Sequence, residues 1–106
     1  MSNNLFFYKN NRKLVPINVA DVILIESHNN TALIHTHNNI FPAYQRLHEL
    51  EASFPDAEFC RVHRRYIVCM KKITSINRFM IIIAGMEIPI GPTYYREFLR
   101  KLTIIN

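Results

Sequence analysis

Short apolar and alternating runs of strand length fill most of the chain, and asparagine does much of the turn work between them. Residues 5–9 (LFFYK) read as a strand, Asn10-Asn11 as a hairpin turn and residues 13–16 as the returning strand. Residues 18–21 form a short turn or one helical turn, and residues 22–27 (VILIES) a buried strand. His28-Asn29-Asn30 is polar and tolerates positive φ, which suits a tight loop before a partner strand at 31–36 (TALIHT). His37-Asn38-Asn39 turns again, and residues 40–42 pair back. The period then changes. Tyr44, Leu47, Leu50, Glu51 and Phe54 stand three and four apart, which predicts an amphipathic helix over 44–53, apolar stripe toward the core, ended by Pro55.

Alternation resumes at 59–62, breaks at His63-Arg64-Arg65 and returns as an apolar run at 66–70. Residues 71–76 lead into a hairpin. Residues 79–84 and 86–90 form the last hairpin around Gly85, with Pro89 marking an edge strand. Gly91-Pro92 is a corner. Thr93 can N-cap a final helix over 94–102, with Tyr95, Leu99 and Leu102 on its apolar face and Arg100 and Lys101 in its last turn. The pattern has no repeat, linker or low-complexity stretch. It predicts a mainly β fold, one domain over residues 1–106, with two short helices.

Charge changes this picture most. The stretch 59–80 (FCRVHRRYIVCMKKITSINRFM) holds Arg61, Arg64, Arg65, Lys71, Lys72 and Arg78 and no acid. The rest of the chain carries seven basic and eight acidic residues, so the net charge of +5 and the pI near 9.5 come from about a fifth of the length. Its basic residues are interleaved with Phe59, Val62, Tyr66, Ile67, Val68 and Ile73, so the charge belongs to folded structure. A focused positive field of this kind attracts polyanions, nucleic acid first among them.

Other chemistries find little support. Two glycines in 106 residues exclude the Gly-rich phosphate loops. No serine stands in a nucleophile elbow, the eight carboxylates are scattered, and no enzyme constellation is present. His35 and His37, two apart, would face one side of a strand; without cysteine or carboxylate companions they read as surface or turn histidines, and no metal or cofactor is implied. Cys60 and Cys69 lie among apolar residues and read as core thiols of a reducing compartment, with a redox switch as the minor reading. No apolar run reaches the roughly 18 residues of a membrane span. The start, MSNNLFFYKNNRK, lacks the marks of a signal peptide, and the expected location is cytoplasmic.

Within the basic stretch, Arg64 and Arg65 fall where strand periodicity fails, so at least one projects from a loop. There an arginine can fork onto guanine O6 and N7 or clamp a phosphate. His63 can donate to a phosphate, Lys71 and Lys72 suit backbone contacts, and the amides of Asn29 and Asn30 suit adenine edges. Each residue also has an ordinary reading: solvated charge, turn chemistry, or lysines covering an edge strand. The clustering favours function. RNA is less well supported, for no paired aromatic stacking platform is evident.

Residues 59–68 (FCRVHRRYIV) resemble the F-x-R-V-H-R-S-Y-I-V-N signature of LytTR-type DNA-binding domains. DVILIES at 21–27 is similar to that family's D-I-x-x-I-E-A strand. Leu47 and Leu50 followed by Phe54-Pro55 match its L-x-x-L-E-x-x-L-P segment, and IPIGPTY at 88–94 its I-P-V-S-R-x-Y close. The matches run in order over nearly the whole chain. The resemblance implies an elongated arrangement of small antiparallel sheets with short helices. It also implies sequence-specific binding of duplex DNA by bacterial transcription regulators, often as two copies on direct repeats. Loops would enter the grooves, and they map here to His28-Asn29-Asn30-Thr31, His63-Arg64-Arg65 and Gly91-Pro92-Thr93. Arg65 stands where serine is usual, Cys69 where asparagine is, and Gly91-Pro92 where Ser-Arg is frequent, so the third loop lacks its basic contact and Arg96 is a candidate to replace it. Relatives usually carry a receiver domain ahead of this one. Residue 1 here begins almost at the first strand, so the expectation is a stand-alone regulator or a module driven by a sensor or membrane-protein partner. The alternative is a protein-interaction module of the same fold that has lost specific DNA binding.

Overall fold

The computed structural model describes residues 5–106, which form ten strands and two helices extending 49 × 35 × 24 Å. The elements are small antiparallel sheets, as the resemblance implies. Strands β1 (Leu5–Asn10) and β2 (Lys13–Asn18) pair as a hairpin about Asn11, whose φ of 58° is the left-handed conformation that asparagine tolerates. Strands β3 (Val22–His28), β4 (Thr31–Thr36), β5 (Ile40–Ala43), β6 (Phe59–His63) and β7 (Tyr66–Cys69) make a five-stranded sheet in the order β5-β4-β3-β7-β6. Strands β8 (Ile73–Asn77), β9 (Met80–Ile83) and β10 (Met86–Pro89) make a second sheet with β9 central, so Pro89 does lie on an edge strand. Single 3-10 turns at Val19–Asp21 and Met70–Lys72 lead into β3 and β8.

The apolar run at the head of β3 has a structural reason: the five-stranded sheet is covered on both faces. On one face Val22, Ile25, Ile34, Ile67 and Cys69 meet Ile17 of the hairpin, Leu47 and Leu50 of helix α1 (Leu47–Glu51), and Phe54. On the other, Leu24, Val62 and Val68 meet Ile81, Ile83 and Ile88 of the second sheet and Phe98 of helix α2 (Pro92–Arg100). The aromatic side chains of β1 bind the hairpin down: Phe6 rests on Phe54 with centroids 4.8 Å apart, and Tyr8 packs on Phe41 and donates its hydroxyl to the Pro42 carbonyl. Both thiols are buried, and burial pushes Cys60 above the usual thiol range. Cys60 and Cys69 belong to cores on opposite faces, which rules out a disulfide between them within the chain.

Both helices depart from expectation. Helix α1 is half the predicted length. Ala43 still pairs with Ala32 in the sheet, and Glu49 accepts the Arg46 N–H at 2.9 Å, so the helix begins only at Leu47. Tyr44 is therefore outside the core stripe, 87% exposed. Helix α2 starts earlier than predicted. Gly91 holds the N-cap position and Pro92 the first turn, where a missing N–H costs nothing, so Thr93 is inside the helix and not its cap. The buried anchor of α2 is Phe98, while Tyr95, Leu99 and Leu102 are only half-buried. Phe79 is also outside its expected strand, exposed in the β8–β9 turn, and Met70 has left β7 for a 3-10 turn.

Candidate nucleic-acid interface

The β6–β7 turn is the centre of the candidate site. Asn29 (φ 58°) closes the neighbouring β3–β4 turn, and the two turns are joined at the backbone, Ser27 donating its N–H to the Arg65 carbonyl at 2.8 Å. The Arg65 guanidinium adds to this junction, directing Nε and Nη2 at the Ser27 carbonyl, each at 3.3 Å. The third segment arrives from the other side. Gly91 donates its N–H to the Val62 carbonyl at 2.8 Å, and a methyl group at Gly91 would stand 3.5 Å from the His63 ring and 3.1 Å from the Tyr94 ring. Only the Tyr94 ring would be crowded by that methyl group; its distance to His63 is an ordinary contact. Three segments distant in sequence, holding His28, Asn29, Asn30, Thr31, His63, Arg64, Arg65 and Thr93, thus meet at one end of the molecule.

Arg61 locks the turn in place. Its side chain is only 15% exposed. Nε donates to the His63 carbonyl at 2.9 Å, Nη2 to the Arg64 carbonyl at 2.6 Å and Nη1 to Glu51 Oε1 of α1 at 3.1 Å, while the guanidinium lies 5.7 Å from the Tyr94 ring centroid. One planar fork therefore ties the turn to α1 and faces α2. Arg64, next in the turn, contributes only its carbonyl to this lock. Its side chain is exposed, and among the described residues it has no carboxylate partner.

His63 is held as a neutral ring. Its Nδ1 accepts the Arg65 N–H at 3.1 Å, so a ring proton belongs on Nε2, free to donate outward. Burial, then the charges of Arg64, Arg65 and Arg61, push its pKa below the ordinary value. A histidine with a depressed folded-state pKa favours the fold fully above about pH 6.5 and loses that contribution as pH falls from there through the folded value. We expect the His63 ring signals to titrate with a midpoint below 6.5 in NMR spectra; a midpoint at or above 6.5 would refute the neutral, Nδ1-accepting ring.

Lys71 and Lys72 do not join this cluster. They follow β7 at its far end, on the order of 15 Å from the β6–β7 turn at about 3.3 Å per residue. Lys71 faces Glu58 at 3.5 Å, and Lys72 donates to the Ala20 carbonyl and lies 2.9 Å from His37 Nε2. Their neighbourhood to the arginines is one of sequence only. His35, for its part, pairs with Glu26 at 2.7 Å, and among the described residues no group of three His, Cys, Asp or Glu side chains is placed to hold a metal ion. No helix among them is long and apolar enough to cross a membrane.

Residues beyond the expected set also belong to this end. The segment between β5 and α1 returns beside the first loop, and a shallow depression of about 650 Å³ is lined by Asn29, Asn30, Thr31, Tyr44, Arg46 and Arg64 among others. Helical spacing hid Tyr44 and Arg46, for it placed Tyr44 in the core. The signal that could have found them is the short distance in sequence between a strand pairing at 40–43 and the helix.

Comparison with known proteins places this geometry. The LytTr DNA-binding domain profile matches residues 12–103. A sensory transduction protein LytT of Bacillus anthracis is 27% identical over 97 residues, 86% of this chain and 39% of that protein. A transcriptional regulatory protein LytR of Staphylococcus aureus is 25% identical over 99 residues, 88% of this chain and 40% of that protein. The chain thus spans about two-fifths of the length of these relatives. In fold, it superposes with a TM-score of 0.83 on a LytTr DNA-binding domain of a putative methyl-accepting/DNA response regulator from Bacillus cereus, at 19% identity, covering 97% of this chain and all of that one. With the match running through nearly every strand and both helices, the chain belongs to the LytTr DNA-binding domain family.

Proposed function

We propose that these 106 residues act as one DNA-binding domain that reads duplex DNA sequence through its loops and serves a bacterial transcription regulator in the cytoplasm. The observation that carries this reading is the convergence of three loops around an exposed Arg64 that has no carboxylate partner among the described residues and whose backbone is held from both sides. A guanidinium carried on a held backbone has less freedom to lose when it forks onto a base edge. Asn29 and Asn30, on the adjoining loop, present amides to the same groove. Arg65, partly committed to Ser27, and the outward Nε2–H of His63 suit phosphates. Lys71 and Lys72 lie outside this face and would touch DNA only on a second surface. A single row of contacts is short, so two copies on repeated half-sites are the expected functional unit.

Arg64→Ala is expected to weaken binding to a selected site by about 1–3 kcal/mol and to relax preference at the base pair it reads. Fluorescence anisotropy titration checks it, and an unchanged affinity would contradict the assignment. The uncharged third loop at Gly91-Pro92 favours a second reading, in which the same basic end docks on an acidic protein surface. That reading expects salt-sensitive binding to polyanions with no sequence preference.

A further inference from the structure

The three loops are not the only tips at this end of the molecule. Ile90 donates its N–H to the Phe79 carbonyl at 2.7 Å, and the next residue, Gly91, donates to the Val62 carbonyl at 2.8 Å. Consecutive N–H groups thus seat the β8–β9 turn on one side of the third loop and the β6–β7 strand pair on the other. With Ser27 bonded to Arg65, backbone hydrogen bonds run in an unbroken row from the β3–β4 turn to the β8–β9 turn. Because the second sheet packs on one face of the five-stranded sheet, this row turns over at the third loop, and the β8–β9 turn stands beside that loop, to one side of the central turns.

Arg78 occupies the tip of that fourth turn. Its φ is 56°, left-handed backbone where asparagine or glycine would be relaxed and arginine costs about 1 kcal/mol. The side chain is exposed, and among the described residues no carboxylate pairs with it. The turn itself is held, since the Phe79 ring packs edge-on against Tyr95 of α2 with centroids 4.8 Å apart. The end therefore carries an exposed arginine, with no carboxylate partner among the described residues, on a held turn of unfavourable backbone, beside a third loop that has no charge of its own.

We propose that Arg78 is a further DNA contact, a phosphate clamp at the far end of the loop row; this rests on the DNA-binding reading above. The geometry favours phosphate over base. When the central turns face the floor of a major groove about 12 Å wide, a tip set to one side of them, past the third loop, stands toward the groove wall and its phosphates. Contact with phosphate carries no sequence information, and its loss weakens all duplexes alike.

The test uses a fluorescein-labelled duplex of random sequence, about 20 base pairs long, titrated with the protein over a series of salt concentrations. Arg78→Asn removes the charge while keeping a residue at ease in left-handed backbone, so the fold is retained, as circular dichroism would confirm. The expected result is a loss of several-fold in affinity and a fall of about 0.9 in the slope of log K against log salt. Arg78→Lys should keep most of both. Equal losses for Arg78→Asn and Arg78→Lys, or an affinity within twofold of wild type with an unchanged slope, would overturn the proposal. If Arg64→Ala still weakens binding in that case, the DNA-binding reading survives and only the role of Arg78 falls. Absence of salt-sensitive binding by the wild type would overturn both.

Discussion

Arg61→Ala is expected to lower the free energy of unfolding by about 2–4 kcal/mol and to weaken DNA binding beyond the effect of Arg64→Ala. The side chain makes two charge-assisted bonds to main-chain carbonyls of the turn and one to Glu51. Such bonds are worth roughly 1.5–3 kcal/mol each in isolation, but the sum overstates the loss, since water can reach the turn once the side chain is gone. Glu51 is itself 47% exposed, so its ion pair contributes the least of the three. What remains is the anchoring of His63 and Arg64. Without it the turn samples several conformations, and Arg64 must be ordered at the expense of binding free energy. Lysine cannot restore the arrangement, for one ammonium does not span two carbonyls and a carboxylate as a planar fork does. Urea denaturation and anisotropy titration on the same variants check both parts. An Arg61→Lys protein with wild-type stability and affinity would refute the lock.

Phe98→Ala should cost about 3–5 kcal/mol, a large share of the roughly 5–15 kcal/mol that holds a domain of this size. Phe98 is fully buried, and its ring fills the space among Val62, Ile81, Ile83, Ile88 and Ile90. Truncation leaves a cavity that two sheets and a helix cannot easily close. The effect reaches the candidate interface, because α2 carries the third loop at its start and, at its end, Lys101, which bonds the Asp56 and Phe59 carbonyls at 2.9 and 3.1 Å. A fall in Tm of more than about 10 °C is expected by calorimetry. A shift of only a few degrees would mean that α2 is not held by this core.

Most strands were legible because each is bounded by residues with one conformational use. Asn11 and Asn29 take positive φ where the asparagine pairs predicted turns, and Pro89 lies on an edge because it cannot donate to a ladder. The helix ends were less legible. Helical spacing through Tyr44 competed with strand pairing at Ala43, and the sheet won. Thr93 competed with Pro92 for the helix start, and proline, preset for a first turn, won. The candidate site was legible in part. Two of its turns showed as interruptions in alternation, and the resemblance added the third segment. Charge along the chain, however, is not charge in space: β7 separates Lys71 and Lys72 from Arg64, while Arg78, 14 positions on, returns beside the third loop.

The most direct test of sequence-specific binding is selection of the purified protein on a pool of random duplex DNA, over several rounds, with sequencing of what is retained. The account predicts an enriched motif, repeated at about one helical turn if two copies bind together. Salt-sensitive retention with no enriched sequence would contradict it, for then the arginine end supplies charge alone.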